Sequence, residues 1–294
     1  ITGDHPLTAL AIARQLGIAK GEQEVISGRE LDELKDEELL KRVKDIRVFA
    51  RVTPEHKVRI VSAFKRLGHV VAMSGDGVND APSLKNADIG IAMGKNGTDV
   101  CKQASDMILA DDNFATIVTA VEQGRNIYAN IQKAVLYLLS CNLGEIMSLF
   151  LAIMLMPHIT STLSAIQILW VNLVTDAFPA LALGVDPKDR FIMEERPRDP
   201  KESLFAHGGM VFTVLNGMLI GTITLVAFRY GLNTSQAMAQ TMAFMVLSIS
   251  QLFHALNLRS RTHSIFQVGL CRNKWLILTI LFSIVLQILV SQLP

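Results

Sequence analysis

Five long apolar runs in the second half of the chain are the feature that most limits what it can fold into. They cover about residues 134–156, 163–185, 208–228, 237–258 and 275–293 of the 294 residues. A helix needs about 20 apolar residues to cross a hydrocarbon core about 30 Å thick, and each run approaches or exceeds that length. Backbone groups in lipid must find partners within their own segment. We therefore expect residues 126–294 to form an α-helical bundle of five spans whose partner is the lipid bilayer.

Charge divides the chain near residue 125. Residues 1–125 carry 19 of the 27 acidic and 17 of the 28 basic side chains, and the formal net charge of the whole chain is +1. A protein that binds nucleic acid through its phosphates needs an excess of basic residues, so a nucleic-acid partner is not expected. The cysteines Cys101, Cys141 and Cys271 form no CxxC pair, and neither a disulfide framework nor a zinc site is indicated.

The connections between the apolar runs predict the orientation of the chain. Residues 186–201 carry five Lys and Arg side chains and residues 259–274 carry four, whereas the other connections carry only Arg229. Cytoplasmic loops are enriched in Lys and Arg. We expect an integral membrane protein with residues 1–125 in the cytoplasm and the C-terminus outside.

Residues 1–125 alternate helix and strand patterns at short intervals. The strand patterns are IRVFA, HVVAM, IGIAM and DMILA, with helix patterns between them. This alternation predicts an α/β unit in which helices cover a parallel sheet. In such sheets ligands bind beyond the carboxyl ends of the strands.

One loop stands at such a strand end. The sequence MSGDGVNDAP places Asp76, Asn79 and Asp80 within five residues, with glycines that allow a tight turn. Carboxylate and amide oxygens suit Mg²⁺, which takes a few protein oxygens together with water and phosphate. The alternative is an Asx-rich turn that only caps the next helix.

Two further motifs indicate an anion site. Thr2, Gly3 and Asp4 offer a hydroxyl and backbone N–H groups directly before a helix pattern. Lys57 lies one turn into the helix pattern PEHKVRIVSAFKRLG, where it can place a positive charge on the same anion. A single helical lysine is more often only solvated.

The first two apolar runs contain polar groups at helical spacing. Asn142 and Glu145 are three residues apart, and Asn172, Thr175 and Asp176 follow the i, i+3, i+4 pattern of one helix face. Glu145 and Asp176 are the only charged side chains within the five runs. We expect the two faces to meet as a site for a hard cation such as Ca²⁺, Na⁺ or H⁺. The alternative is hydrogen bonding between helices.

Proline and cysteine refine this picture of the membrane site. Pro179 lies just beyond Asp176 and is expected to loosen the helix and free carbonyl groups, as in the discontinuous helices of transporters. Cys141 adjoins the cluster but is expected to serve in packing.

Four sequence motifs together resemble the P-type cation-transporting ATPases of the type II, calcium-pump-like branch. They are TGD at 2–4, ARVTPEHK at 50–57, GDGVNDAPSLKNADIGIAMG at 75–94 and LWVNLVTD at 169–176. The resemblance implies a phosphorylation domain of the haloacid-dehalogenase-like Rossmannoid fold followed by the cation-transport helices. It also implies a complete pump in which ATP phosphorylates an aspartate and hydrolysis of that intermediate moves the cation.

The resemblance assigns roles residue by residue. The catalytic positions it implies are Thr2, Gly3, Asp4, Lys57, Asp76, Asn79 and Asp80. Asp76 and Asp80 would serve the Mg²⁺, with Asn79 and Asp80 fixing the loop, while Thr2 and Lys57 would hold the phosphoryl oxygens. Ser74 stands where the family often has threonine.

In the membrane part, the resemblance implies a transported cation, with Ca²⁺ favoured. Its ligands would be Asn142, Glu145, Asn172, Thr175, Asp176 and Gln251. Gln251 occupies a position that is acidic in pumps carrying two calcium ions, so we expect one ion per cycle. His254, one turn further on, is expected to be a core histidine with its hydrogen bonds satisfied, not a ligand.

The chain also departs from the family pattern. It contains no DKTG motif, and the nucleotide-binding domain, the actuator domain and the first four membrane helices are absent. We therefore expect the C-terminal half of a pump, inactive alone and dependent on the missing N-terminal part as its partner. A bacterial plasma membrane is the expected location.

Two alternatives stay open. The complete protein is a pump for Na⁺ or another monovalent cation, or the chain is a non-enzymatic remnant or regulatory subunit. Because a central strand is missing from the sheet, the isolated residues 1–125 are expected to aggregate.

Overall fold

The fold is described from a computed structural model, which covers residues 1–158, 161–188, 192–199, 201–259, 269 and 272–292. The chain divides into two compact units, residues 1–120 and 121–294. Arg190, Arg261 and Cys271, which entered the charge and cysteine arguments, lie outside the described residues.

The first unit alternates short strands and helices, as its sequence pattern predicts. Its strands are β1 (Val25–Ser27), β2 (Val48–Ala50), β3 (Ala72–Gly75), β4 (Ile89–Met93) and β5 (Met107–Leu109). Its helices are α1 (Pro6–Gln15), α2 (Gly28–Glu33), α3 (Asp36–Arg42), α4 (Pro54–Arg66), α5 (Ala81–Asn86) and α6 (Asp99–Ala104). Two short 3₁₀ turns lie at Glu22–Glu24 and Val78–Asp80.

The strands form two parallel sheets instead of the single sheet expected from the sequence. One sheet has the order β1-β2, and the other has the order β3-β4-β5. Thr2 extends the first sheet through a parallel bridge to Ala50. β2 and β3 do not pair, and a groove of about 290 Å³ lies between them, lined mainly by apolar residues such as Phe49, Ile60 and Met73. The α/β character is confirmed, but β3 has a neighbour on one side only.

Helix α4 shows why the local sequence fixes this unit. Thr53 caps its N-terminus by accepting a hydrogen bond from the His56 N–H, and Pro54 occupies the first helical position. His56 Nδ1 accepts from the Thr53 N–H at 3.2 Å, and His56 Nε2 lies 2.7 Å from Asp32 Oδ1. Ile60 and Ala63 on the same helix pack into the core with Ile26 and Leu31. Hydrogen bonds at its N-terminus and apolar packing further along therefore fix the start of α4, where Lys57 lies.

The second unit is helical. Its elements are α8 (Ala165–Trp170), a π-helical segment (Val171–Thr175), α9 (Ala177–Gly184), α10 (Gly209–Gly231), α11 (Gln236–Asn257) and α12 (Lys274–Gln292). They follow α7 (Phe114–Leu155), a helix of 42 residues that begins before the boundary between the units. Five helical stretches in the described part of the chain are long and apolar enough to cross a membrane: 114–155, 165–184, 209–231, 236–257 and 274–292. The predicted five-span bundle is therefore confirmed.

Glycine allows two of these helices to approach closely. A Cβ at Gly217 would lie 2.8 Å from Leu143 Cβ, and one at Gly221 would lie 2.9 Å from the carbonyl oxygen of Gly144. Small residues at such crossings let membrane helices pack backbone against backbone. α10 therefore lies directly against the part of α7 that carries Glu145.

The second span is irregular at its centre. The N–H of Asp176 donates to the carbonyl of Val171 at 2.9 Å, five residues back, which is the π-helical pattern. Pro179 lacks an N–H, so the carbonyl of Thr175 loses the donor that an α-helix would give it. The helix is therefore irregular just before Pro179: the π segment ends at Thr175, and α9 begins at Ala177 after the N-cap residue Asp176.

Candidate functional site

The glycine-rich loop after β3 holds two aspartates in opposite environments. Asp80 is buried, with 6% of its surface exposed, whereas Asp76 is exposed. Gly75 makes this turn possible, because a Cβ there would lie 2.4 Å from the Asp80 Cβ. The loop therefore folds around Asp80 and presents Asp76 outward.

Both carboxylate oxygens of Asp80 are engaged. Oδ1 pairs with the Lys57 ammonium, and Oδ2 accepts the N–H groups of Asp76 and Gly77 at 3.3 Å each. Asp80 therefore neutralises Lys57 and holds the loop closed. The assignment of Asp80 as a direct Mg²⁺ ligand stays a prediction, and in this arrangement three donors already occupy most of the about four acceptor positions of its carboxylate.

Asp76 is the group in this loop that fits Mg²⁺. Its backbone is fixed at both ends, since its N–H donates to Asp80 and its carbonyl accepts from the Thr98 N–H at 2.9 Å. Its carboxylate accepts no hydrogen bond from the described residues. One exposed carboxylate on a backbone held at both ends suits a cation that keeps several waters and shares phosphate oxygens. Asn79 is exposed in the same loop and makes no side-chain hydrogen bond there.

Cys101 packs beneath this loop. Its thiol donates to the carbonyl of Gly75 at 3.3 Å, and its side chain is fully buried. Burial, followed by the negative charges of Asp80 and Asp76, raises the pKa of the Cys101 thiol. The sulfur therefore stays protonated and supports the loop as an apolar group.

The TGD segment lies at the edge of the first sheet. The Thr2 N–H donates to the carbonyl of Phe49 at 2.9 Å, and the Thr2 hydroxyl donates to Asp4 Oδ2 at 3.0 Å. No hydrogen bond among the described residues links Thr2 to Lys57 or Asp76. A Cβ added to the exposed Gly3 would contact nothing within 4 Å. No steric contact therefore explains why this position is a glycine. The structure thus joins Lys57, Asp76 and Asp80 through hydrogen bonds, whereas Thr2, Gly3 and Asp4 make no described hydrogen bond to them.

In the second unit, three helical segments converge on the Glu145 carboxylate. Asn172 Nδ2 donates to Oε2 at 2.9 Å, and Gln251 Nε2 donates to Oε1 at 3.3 Å. Glu145 is 6% exposed and Gln251 is fully buried. Both amides turn their nitrogen toward the carboxylate, which leaves their oxygens available. Gln251 Oε1 has no partner among the described residues.

Asp176 is completely buried beside this group. Its Oδ1 accepts from the Tyr137 hydroxyl at 3.3 Å, and its Oδ2 has no hydrogen-bond partner in the described part of the chain. Thr175 next to it is also buried. Neither Glu145 nor Asp176 forms an ion pair with any described Lys, Arg or His. A buried carboxylate without a counter-charge in a membrane span indicates an ion or proton site.

Asn142 does not join this cluster. Its side chain is exposed and makes no hydrogen bond among the described residues, whereas the side chain of Glu145, three positions on, is buried. The expectation that both side chains lie on one contacting face is therefore not met within this unit. The buried face of α7 carries Tyr137, Cys141, Gly144 and Ser148 instead.

An aromatic stack beside the cluster was missed by the sequence reasoning. The His254 ring stacks on Tyr137 at 6.0 Å and on Phe212 at 5.7 Å between ring centroids. His254 is buried, as expected, but neither of its ring nitrogens has a partner among the described residues, so the expectation of a hydrogen-bonded core histidine is not met. Tyr137 occurs one turn before Cys141 on α7, and its helical spacing from Glu145 was the signal available in the sequence. Cys141 is fully buried, as expected for a packing residue.

The polar side chains of the cluster offer oxygen atoms. No group of three or more His, Cys, Asp or Glu side chains among the described residues is close enough to hold a metal ion. Glu145, Asp176, Asn172, Gln251 and Thr175 supply two carboxylates, two amides and a hydroxyl, which are the kinds of oxygen donor that hard cations prefer.

Comparison with known proteins identifies both units. Residues 1–88 match the haloacid dehalogenase-like hydrolases, and residues 160–294 match the C-terminus of cation-transporting ATPases. The whole chain is 52% identical to calcium-transporting ATPase 1 of Bacillus cereus and 49% identical to calcium-transporting ATPase of Bacillus subtilis. It is 40% identical to human calcium-transporting ATPase type 2C member 1.

Each of these alignments covers 100% of this chain but only 35%, 33% and 32% of the respective relative. The chain thus spans about a third of the length of the curated relatives it matches. With its haloacid-dehalogenase-like unit and its five membrane spans, it belongs to the P-type cation-transporting ATPases, in their type II, calcium-pump-like branch.

Proposed function

We propose that the chain is the C-terminal part of an ATP-driven pump that transports Ca²⁺ through the cluster around Glu145 and Asp176. The observation that carries this proposal is the pair of buried carboxylates with no described counter-charge, one of which accepts hydrogen bonds from the amide nitrogens of Asn172 and Gln251. Calcium takes six to eight oxygen ligands in flexible geometry. Relatives that are named calcium-transporting ATPases favour Ca²⁺ over other hard cations.

Two neutral amides stabilise the Glu145 carboxylate by hydrogen bonding. Asn172 and Gln251 satisfy Glu145 with N–H groups, so the carboxylate is not left without partners in the low dielectric. When a cation enters, it takes the place of these donors on Glu145 and is offered the amide oxygens. Asn142, which is exposed in this unit, is proposed to complete the shell on the side facing the rest of the pump.

The loop after β3 is proposed to serve phosphoryl transfer in the complete pump. Asp76 would hold Mg²⁺, which neutralises phosphate charge when bound. Lys57, held by Asp80, would place its ammonium beside the phosphoryl oxygens, and Thr2 would add its hydroxyl. This chain has no DKTG motif, so the phosphorylated aspartate and the nucleotide site are proposed to come from the remaining N-terminal part, its partner.

The domain assignment remains a proposal as well. Residues 1–125 are proposed to be cytoplasmic, as the C-terminal part of the phosphorylation domain and stalk, and residues 126–294 form the transport domain. A bacterial plasma membrane is the proposed location.

The test is ion-dependent phosphorylation of the complete pump carrying this sequence. Purified protein is given radiolabelled ATP with Ca²⁺, with Na⁺ or without added cation. We expect phosphorylation that requires Ca²⁺ and is lost in Glu145→Gln and Asp176→Asn. Ser283→Ala serves as a control, because Ser283 is a buried polar residue on α12 that no described hydrogen bond connects to the cluster.

Other outcomes separate the alternatives. Phosphorylation that requires Na⁺ instead of Ca²⁺ would identify a monovalent pump. If the coding DNA upstream of Ile1 holds a stop codon and no D-K-T-G, the chain is a non-enzymatic remnant or regulator. A D-K-T-G preceded by apolar spans supports the pump.

Gln251 carries the proposal that one ion is transported per cycle. An amide there offers one neutral oxygen to the cluster where a carboxylate would add a charge. Gln251→Glu is expected to raise the number of Ca²⁺ ions bound per phosphorylation site in the complete pump, measured by equilibrium binding of radioactive calcium. An unchanged ratio would count against the single-ion proposal.

A further inference from the structure

A second buried ionic group lies apart from the carboxylate cluster and is centred on Asp186. The Lys133 ammonium lies 2.8 Å from Asp186 Oδ2, and Arg259 Nε lies 3.4 Å from Oδ1. Asn273 Nδ2 donates to Oδ1 at 2.9 Å. The side chains of Asp186 and Arg259 are 3% and 1% exposed. Removing charges from water is costly, so this arrangement is unlike an ordinary surface ion pair.

The same group holds the backbone at the end of the second span. Asn130 Nδ2 donates to the carbonyl of Asp186 at 2.8 Å, and Asn273 Nδ2 donates to the carbonyl of Ala182 at 2.9 Å. Asn273 Oδ1 accepts the N–H of Leu276 and so caps the start of α12. One carboxylate therefore joins α7, the end of α9, the end of α11 and the start of α12.

The same four helices share one apolar core. It contains Leu136, Tyr137 and Cys141 from α7, Ala182 and Leu183 from α9, Leu252, Ala255 and Leu258 from α11 or its end, and Leu276 and Ile280 from α12. Tyr137 belongs to this core and also donates to Asp176. Packed side chains thus run continuously from the Asp186 group to the carboxylate cluster.

The distances make Asp186 a positioning residue, not a ligand. Asp186 follows Asp176 by ten residues, about 15 Å along a helix, and Lys133 precedes Glu145 by twelve, about 18 Å. The pair Lys133–Asp186 ties α7 to α9 at one end, while Asn172 and Tyr137 bridge the same two spans at the cluster. Fixing one end of both helices limits how far Glu145 and Asp176 can move relative to each other.

We propose that Asp186, with Lys133 and Arg259, is a clamp that sets the spacing of the helices carrying Glu145 and Asp176 and thereby tunes the affinity of the cation site. The effect on affinity rests on the proposed function. The effect on helix spacing does not, and it is measured separately.

The test variants change the net charge of the clamp. Asp186, Lys133 and Arg259 together carry one net positive charge. Asp186→Asn raises this to two positive charges, and Lys133→Gln lowers it to zero. The double variant K133Q/D186N restores one positive charge and allows the two amides to hydrogen-bond. Lys188→Gln is the matched control, since Lys188 lies in the same loop but forms a half-exposed pair with Glu122.

The first measurement is the Ca²⁺ concentration that gives half-maximal phosphorylation of the complete pump. Mutations along a packed network that touch no ligand change the coupling to a distant site by about two- to thirtyfold. We expect about that increase for Asp186→Asn with the maximal phosphorylation nearly unchanged, and recovery in the double variant. A fall in maximal phosphorylation without a change in the half-maximal concentration would indicate a merely structural role and overturn the clamp. Lys188→Gln should behave like the parent.

The second measurement uses the complete pump in lipid nanodiscs and needs no activity. Spin labels replace Leu139 on α7 and Leu181 on α9, both exposed, in a background without the native cysteines. We expect a narrow distance distribution in the parent, a broad one in Asp186→Asn and a narrow one again in K133Q/D186N. An unchanged distribution in Asp186→Asn overturns the clamp. If the parent pump shows no Ca²⁺ dependence while the distances behave as expected, the proposed function fails and the clamp stands.

Discussion

Asp76 and Asp80 show how strongly a single position in a loop determines what a carboxylate can do. The two residues are four positions apart in one motif, yet Asp80 is buried on the Lys57 ammonium and Asp76 is exposed with free oxygens. A hydrogen bond to a charged group contributes about 1.5–3 kcal/mol, so Asp80 contributes to stability and Asp76 is free for chemistry.

Substituting the two aspartates should therefore give opposite results. Asp80→Asn is expected to destabilise the loop by about 2 kcal/mol, since it removes the ion pair and weakens the two amide contacts. Asp76→Asn should change stability by less than about 0.5 kcal/mol and yet abolish Mg²⁺-dependent phosphorylation of the complete pump. Hydrogen exchange of peptides covering residues 72–94 measures the first effect. Equal loss of protection in both variants would contradict the assignment.

A single residue, Asp112, should also make the stability of the loop at residues 94–96 depend on pH. Its carboxylate accepts the N–H groups of Gly94, Lys95 and Asn96 at 2.6, 3.0 and 2.9 Å, and its own backbone has a φ of 56°. The N–H of Lys95 is the largest cause of a pKa for Asp112 below its ordinary value. A lowered pKa means that the contact is at full strength above the unfolded-state pKa and is lost as the pH falls through the folded-state pKa.

The amides of residues 94–96 should report this transition. After correction for intrinsic exchange, their protection should be constant from pH 7 to about pH 4 and fall below it. Asp112→Asn keeps a residue that tolerates positive φ but removes the charge, so its protection should be low and independent of pH. A parent protein whose protection already falls between pH 7 and pH 5 would show that another group controls the loop.

At the scale of elements, the second span joins local backbone geometry to the site. The π segment Val171–Thr175 inserts one residue into a helical turn, and π segments occur frequently at functional sites. The inserted residue rotates the chain that follows it, so Thr175 and Asp176 are buried while Asn172 is exposed but still reaches Glu145. A regular α-helix would present these three side chains differently.

Pro179→Ala tests this relation. Alanine supplies an N–H for the carbonyl of Thr175 and removes the strain of a proline ring within a helix, which costs about 3 kcal/mol. We expect the variant to be at least as stable as the parent in thermal unfolding, while the complete pump needs about tenfold more Ca²⁺ for half-maximal phosphorylation. Unchanged Ca²⁺ affinity would show that the π segment does not set the ligand geometry. Ala180→Gly is the control, since it alters the same turn without adding a donor.

The elements also show which features the sequence could predict. Hydrophobic runs located five spans, because length and apolarity alone decide whether a helix can cross a membrane. The motif around Asp76 and the polar residues of the second span predicted two candidate sites, and both stay predictions. The π segment was not predictable from spacing, since i, i+3, i+4 patterns assume a regular α-helix. Asn142 shows the same limit, because helical spacing does not reveal which neighbour covers a face.

The Asp186 group was also beyond the reach of sequence reasoning. Lys133, Asp186, Arg259 and Asn273 are separated by as many as 140 residues, and each occurs in a stretch that reads as a basic loop or helix end. The positive-inside rule accounts for the charges of Lys133 and Arg259 on average. Only the packing of four helix ends brings them onto one carboxylate.

At the scale of the whole molecule, the two units differ in how completely their secondary structure is paired. Helices satisfy their own backbone, so the second unit needs only side-chain contacts between spans. The first unit depends on strand pairing, and β3 pairs with β4 but not with β2. The groove between the sheets, about 290 Å³ in volume, is lined mainly by apolar residues, of which Ile1 is 48% exposed whereas Phe49, Ile60 and Met73 are buried. A parallel strand supplied by the rest of the pump would fill this position.

The open groove leads to a prediction about the isolated first unit. Residues 1–125, expressed alone, should form soluble aggregates and lack a cooperative melting transition, because an unpaired strand edge beside apolar side chains promotes association between copies. Size-exclusion chromatography with light scattering measures the association, and circular dichroism measures the melting. The matched sample is the complete pump, whose missing strand is present and which should be monodisperse in detergent. A folded monomer of residues 1–125 with a sharp transition would show that β3 needs no further neighbour.

A synthetic peptide with the strand sequence that precedes D-K-T-G in the complete pump should reduce the aggregation if the groove is the cause, whereas a scrambled peptide should not.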